Sequence, residues 1–234
     1  MRFSEYYQDE HVAETYDSRR MTGIKAPLVR IMERRAVLSL LPSKKMSILE
    51  AGVGTGYFTE ILARKGKFEG IDISGEMIKV LRKKIRNVKL SQADILSFKT
   101  LKKYSCIISV RVISHFNELG ALAALKNLAK CLEAEGVIIF NLENPSILRI
   151  VLRKLTNWGS TYTYQYSNSN LGRLLRSAKL RPVKLIYVDH LILYPLHIIN
   201  KLSNGALNKL VMRLETNLEN IRFSSVNVFV KCKK

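Results

Sequence analysis

Ile48-Leu49-Glu50-Ala51-Gly52-Val53-Gly54-Thr55-Gly56-Tyr57-Phe58 lies where the chain changes period. Met46 to Ala51 is a short apolar run, whereas Thr55 to Arg64 carries apolar residues at helical spacing, so the glycines fall at a strand-to-helix turn. Glycine lets the backbone take positive φ and lets a ligand lie against bare peptide, and a following helix offers N–H groups without intrahelical partners. Read alone, the stretch is equally a tight turn. Its spacing narrows the choice of ligand. The dinucleotide pattern G-x-G-x-x-G needs a third glycine where Tyr57 stands, and a P-loop needs Gly-Lys-Ser/Thr, whereas the first lysine here is Lys65.

Two further carboxylates follow at the ends of apolar runs. Phe68 to Ile73 reads as a second strand in which Asp72 lies 22 residues after Glu50, close to the roughly 20 residues that separate a glycine turn from a ribose-binding acid. A carboxylate can accept from both hydroxyls of a ribose at once. Val88 to Leu90 is a third strand, followed by Asp94. Each acid also has a local reading, Asp72 as a helix cap before Ser74 to Met77 and Asp94 as a surface turn.

An acidic residue followed by x-G-x-G-x-G resembles motif I of class I S-adenosylmethionine (SAM) dependent methyltransferases, with Glu50 as the acidic member. The resemblance implies SAM as cofactor and an α/β fold, a Rossmann-like seven-stranded, mostly parallel sheet with an antiparallel last strand. It implies that Gly52, Gly54 and Gly56 cradle the cofactor, that Asp72 binds the ribose, and that Asp94 accepts from the adenine amino group. It extends the cofactor site to Ile73, Met77, Ile95 and Val110, Met77 being equally well placed for core packing. The aromatic start, Tyr6-Tyr7 and Tyr16-Asp17, is similar to that of small-molecule and quinone-type members, where such a helix folds over the methionine end of the cofactor; this makes Tyr16 a lid residue.

The alternation from Met46 to Asn141 supports the same sheet: strands near 46–51, 67–72, 87–91, 104–110 and 136–142, helices near 55–65, 75–85 and 119–132. In such sheets ligands bind outside the carboxyl ends of the strands, the rim where Glu50, Asp72, Asp94 and the segment after Val110 fall. That segment, Arg111-Val112-Ile113-Ser114-His115-Phe116, lacks the Pro-Pro-aromatic motif of amino-group nucleic-acid methyltransferases. It contains no cysteine for cytosine C5 chemistry either. His115, with an unperturbed pKa near 6.5, is the candidate general base, packing being the alternative.

One domain of 1–234 is expected, with an N-terminal helical lid (1–45), a SAM-binding core (46–142) and acceptor-side helices plus two strands (143–234). Helical insertions at 143–168 and 191–221 would roof the acceptor, with Trp158, Tyr162, Tyr164, Tyr166, Tyr194 and His197 as lining candidates. The expected reaction is O- or C-methylation of a small, partly apolar acceptor of the quinone or lipid-precursor type. A tRNA methyltransferase and a SAM-binding protein without turnover are the rivals.

Charge motivates the first rival. Lys+Arg 39 against Asp+Glu 19 gives a net +20, and the chain from Asn141 on holds 15 basic and 4 acidic residues. That excess attracts tRNA or an anionic membrane surface, or simply solvates the protein. Cys106, Cys131 and Cys232 lack metal or disulfide spacing, the start has no apolar signal region, and the longest apolar run, Leu191 to Ile199, is too short to span a bilayer. No metal site is expected, and a cytoplasmic protein is, with peripheral membrane contact as a variant. Nothing in the pattern specifies an oligomer.

Overall fold

Cys106, Ile107 and Ile108 have no solvent exposure, as expected of a strand covered on both faces. The computed structural model describes residues 3–22, 26–146, 148, 150–151 and 163–234. Among them, β1 (Met46–Ala51), β2 (Gly66–Asp72), β3 (Lys89–Gln92), β4 (Tyr104–Ser109), β5 (Leu132–Glu143), β6 (Arg181–His190) and β7 (Ser225–Lys233) form one sheet in the order 3-2-1-4-5-7-6. β1 to β5 pair in parallel, and β7 runs antiparallel to both β5 and β6. The chain steps outward from β1 to β3 and then returns to the other side of β1 at β4. The two connections diverge there and open a crevice at the carboxyl ends of β1 and β4. This is the expected Rossmann-like sheet with its antiparallel last strand.

The helices begin where the sequence supplies caps. After a first turn, α1 (Phe3–Tyr6), Asp9 accepts the Val12 N–H at 2.9 Å and starts α2 (Glu10–Met21). α3 (Ala26–Leu40) follows. Ser74 Oγ accepts the Met77 N–H at 3.0 Å and starts α5 (Gly75–Lys84). The capping task that Asp72 could have performed therefore belongs to Ser74, and the Asp72 carboxylate serves elsewhere. Asn117 caps α6 (Glu118–Lys130) by accepting the Gly120 N–H at 2.9 Å. Two apolar layers enclose the sheet. Ala121, Leu125 and Leu174 pack with Ile107 and Ile138 on one face, and Leu28, Met32 and Val37 pack with Ile48 and Ile108 on the other.

The helix expected near 55–65 is shorter, α4 (Thr59–Ala63). Gly54 and Gly56 hold φ at +52° and +94°, which keeps the chain out of helical space until Phe58, a cap without a side-chain hydrogen bond. The second insertion resolves into a 3-10 turn (Leu191–Leu193) and two helices, Tyr194–Leu202 and Asn208–Asn217. Half of the first insertion, with Trp158 and Tyr162, lies outside the described residues. The three cysteines are buried free thiols, and among the described residues no helix is long and apolar enough to cross a membrane.

Gly56 anchors the loop by packing. A Cβ built on it would stand 2.2 Å from Leu81 Cδ1 of α5, and its positive φ adds strain of about 1–2 kcal/mol for any L side chain. Gly56→Ala is therefore expected to destabilise the chain by roughly 2–4 kcal/mol, overpacking included; chemical denaturation measures it, and an unchanged midpoint would show that the loop yields freely.

Candidate active site

Glu50 sits one residue before the end of β1 and is 3 % exposed, its Oε2 accepting the Thr59 hydroxyl at 2.7 Å. Burial pushes its carboxyl up to about 8, the Thr59 hydrogen bond opposing the rise and the Asp72 carboxylate adding to it. Asp72 ends β2 and ties two segments together: Oδ2 accepts the Gly54 N–H at 2.7 Å and Oδ1 accepts the Ser74 N–H at 2.9 Å. Burial raises its pKa, and these backbone hydrogen bonds restrain the rise. The Ile73 N–H is a third backbone donor to this carboxylate, and its remaining acceptor capacity can take a ligand hydroxyl. Asp94 begins a turn after β3, with Oδ1 accepting the Leu96 N–H at 2.9 Å, so it holds its turn and faces the crevice at once.

These groups share a cavity of about 450 Å³ at the carboxyl ends of the strands, within the roughly 300–1,000 Å³ typical of small-molecule sites. Every candidate cofactor residue except Gly56 lines it, and so does His115. A Cβ built on Gly54 meets nothing within 4 Å: the bare peptide borders open space that a ligand can fill. Met77 is both a cavity wall and a core residue, packed with Val12 and Ala13 of α2. Together, bare peptide, a carboxylate with acceptor capacity to spare, a second acid beyond it and the apolar side chains Ile73, Met77 and Ile95 between them fit an adenosine moiety.

A family model described as a methyltransferase domain matches residues 48–136. Residues 48–136 thus carry a methyltransferase domain. Malonyl-[acyl-carrier protein] O-methyltransferase of Acetivibrio thermocellus is 31% identical to it over 110 residues, covering 45% of this chain and 38% of that protein. The enzyme of the same name from Priestia megaterium is 33% identical over 104 residues, covering 42% and 37%. The matched region thus spans less than two-fifths of either relative. Magnesium protoporphyrin IX methyltransferase from Synechocystis, solved with bound S-adenosylhomocysteine, superposes with a TM-score of 0.69 at 15% identity, covering 99% of this chain and 97% of that one; at that identity the likeness is one of fold.

The far wall of the methyltransferase cavity was only partly legible in the sequence. Tyr16 lines it together with Tyr7, whose ring centroid lies 6.0 Å from that of Tyr16 and 5.9 Å from that of His115. Burial, with Tyr16 nearby, pushes the Tyr7 hydroxyl up to about 12. Arg20, Arg30 and Arg111 also line the cavity. Arg111 follows β4 in the left-handed region, φ 60°, where its N–H donates to the buried Asn141 Oδ1 at 2.5 Å. Its guanidinium makes two hydrogen bonds to Glu33 of α3, a carboxylate that is 1 % exposed. A run such as Val110-Arg111-Val112 carries no mark of that backbone turn, and Glu33 reads as a surface residue of a basic helix.

Four acceptor-lining candidates do not reach the cavity. Tyr164 is half exposed, and Tyr166 is buried in the core with its hydroxyl donating to the Phe116 carbonyl at 2.6 Å. Tyr194 belongs to the C-terminal insertion, as does His197, which is buried 3.7 Å from Glu215. Gly56 also points away, into the α5 contact described above.

Below pH about 8 the Glu50 carboxyl is protonated in the free chain, whereas a ligand bearing sulfonium and ammonium charge favours the carboxylate. SAM affinity is therefore expected to rise between about pH 6.5 and 9, with proton release on binding, and Glu50→Gln should flatten the profile. The same raised pKa lends folding stability that is full below the unfolded value and lost as pH rises through about 8, so Glu50→Gln should resist denaturation better than the parent at alkaline pH. Titration calorimetry in buffers of different ionisation enthalpy, beside denaturation at two pH values, checks both.

Proposed function

We propose that this chain transfers the methyl group of SAM to oxygen or carbon of a small, partly apolar acceptor of the quinone or lipid-precursor type. The observation that carries this is the continuity of the cavity. The acid-lined rim at β1 and β2 runs without interruption into a wall of Tyr7, Tyr16, Val112, His115 and Phe116, so a donor and a compact, flat or branched acceptor can meet inside it. Bound SAM supplies a methyl already activated on a sulfonium. The chain's own work is positional: Asp72 takes the ribose hydroxyls, Asp94 the adenine amino group, and Ile73, Met77, Ile95 and Val110 the apolar faces. Gly52 and Gly54 give the close backbone approach, and Tyr16 closes over the methionine end as part of the 1–45 lid.

His115, in the 3-10 turn after β4, takes the proton that the acceptor loses as its oxygen or carbon gains the methyl. Holding the partners in line contributes on the order of 7–11 kcal/mol in favourable cases, so this base adds to the reaction without carrying it. Arg20, Arg30 and Arg111 suit an acceptor that develops or bears negative charge. Oxygen as the receiving atom fits the two relatives that are O-methyltransferases by name.

The net charge of +20 favours a second reading, methylation of tRNA, whose phosphates would make retention fall steeply with salt. Incubation with labelled SAM separates the readings: label is expected in quinone or lipid precursors, and label in tRNA with none in any small acceptor would replace the first reading by the second. Asp72→Asn should weaken SAM binding roughly 10- to 150-fold, the worth of about 1.5–3 kcal/mol for a charge-assisted hydrogen bond. His115→Ala should lower kcat about a hundredfold or more with little change in SAM affinity. Binding without any transfer, across acceptors of both kinds, would leave a SAM-binding protein without turnover.

A further inference from the structure

The helix Tyr194–Leu202 is turned inside out. Its polar residues His197 and Asn200 are 1 % and 5 % exposed, whereas Ile199 and Leu202 are 53 % and 80 % exposed. Ile198 on the same helix and Ile192 in the turn before it add to the outward apolar surface. The inward polar residues fix this orientation. Asn200 Oδ1 accepts the Leu207 N–H at 2.9 Å while its Nδ2 donates to Asn208 Oδ1 at 2.9 Å, which closes the turn into the helix Asn208–Asn217. His197 faces the carboxylate of Glu215 on that second helix. Rotating the first helix to hide its isoleucines would break both connections, so the apolar face stays outward.

The surface around that face has one sign of charge. From His190 to Leu214 the sequence contains no Asp or Glu, and Lys201, Lys209 and Arg213 are all exposed. Leu210 of the second helix extends the apolar surface to 45 % exposure at that position. Exposed apolar side chains gathered on one short segment mark an interaction site, and the same two helices carry three exposed cations.

We infer that the outward face of Tyr194–Leu202, with Leu210 and the flanking basic residues, docks on an anionic lipid surface. The chemistry of the patch selects this occupant. The isoleucines and leucines enter the boundary between headgroups and acyl chains, while Lys201, Lys209 and Arg213 meet the lipid phosphates. An RNA would satisfy the cations and leave the apolar side chains in water. A helix of nine residues rises only about 14 Å, so it lies in the plane of the surface and does not cross it. The patch also adjoins the cavity's lid: Leu196, Leu207 and Met212 pack against the cluster containing Leu28, Val29 and Met32 of α3, the helix whose Arg30 and Glu33 line the cavity.

Vesicle co-sedimentation of the full chain tests the inference. The chain is expected to sediment with vesicles of phosphatidylcholine and phosphatidylglycerol but not with phosphatidylcholine alone, and raised salt should weaken the binding. The double variant Ile199→Ser/Leu202→Ser removes exposed side chains, so its thermal unfolding should match the parent while its lipid affinity drops roughly tenfold or more. Lys201→Glu/Lys209→Glu should lose the preference for anionic lipid. No sedimentation with either vesicle, or equal binding by the parent and the serine variant, overturns the inference. So does a parent that is dimeric by light scattering, binds no vesicle and becomes monomeric in the serine variant, which would make a second copy of the chain the occupant. All these readouts are independent of methyl transfer.

Discussion

The Asp72 carboxylate is the constraint on which the site depends. It closes β2, and its two oxygens hold the backbone of Gly54 in one direction and of Ser74 in the other. Strand end, glycine loop and the start of α5 are therefore fixed to one another by a single side chain. Its burial makes the charge expensive, and the backbone N–H groups of Ser74, Gly54 and Ile73 offset that expense without using all of its acceptor capacity. The group that shapes the loop is thus the group left able to receive a ligand. Glu50 next to it accepts the Thr59 hydroxyl, and its carboxyl is pushed up to about 8. The two acids divide the work because their surroundings differ: one stays committed to geometry, the other is able to respond to charge.

A second buried carboxylate organises the opposite wall. Glu33 comes from α3, which is otherwise a basic helix, and it meets Arg111 across the cavity's edge. Breaking such a pair on one side leaves an uncompensated buried charge, a cost of about 3–5 kcal/mol. The left-handed backbone at Arg111, braced by Asn141, therefore serves to aim a guanidinium at α3. This contact joins the N-terminal helices to the strand rim, where the sequence alone offered only tyrosines to make the connection.

The parts legible in the sequence are those governed by local rules. Apolar runs became β1, β4 and β5 because a covered parallel strand needs no alternation, and the helices expected near 75–85 and 119–132 formed there. The three acids and Gly54 could be placed for the same reason: each follows from where a strand stops. The rest depends on distant partners. The start of α4 was moved by positive φ at two glycines, and Gly56 proved to serve packing on Leu81. His197 looked like a pocket residue but faces Glu215, 18 positions later in the chain; no periodicity encodes such a pairing.

The same dependence explains why the charge excess misleads when read as a total. A net charge of +20 suggests a polyanion, yet the arginines lining the cavity, Arg20, Arg30 and Arg111, come from the N-terminal helices and the β4 rim, while the surface basic residues of the C-terminal insertion surround exposed isoleucines. The first group is half-buried at the cavity wall, and Arg111 is matched to Glu33. The second lies between His190 and Leu214, a stretch without a single acid, so it sets a long-range field as well as local contacts. A phosphate chain laid on the second group would have to cover apolar surface that gains nothing from it. Location decides what a cation can do: at a cavity wall it faces whatever enters, and beside exposed leucine and isoleucine it favours a partner with charge at its surface and hydrocarbon beneath.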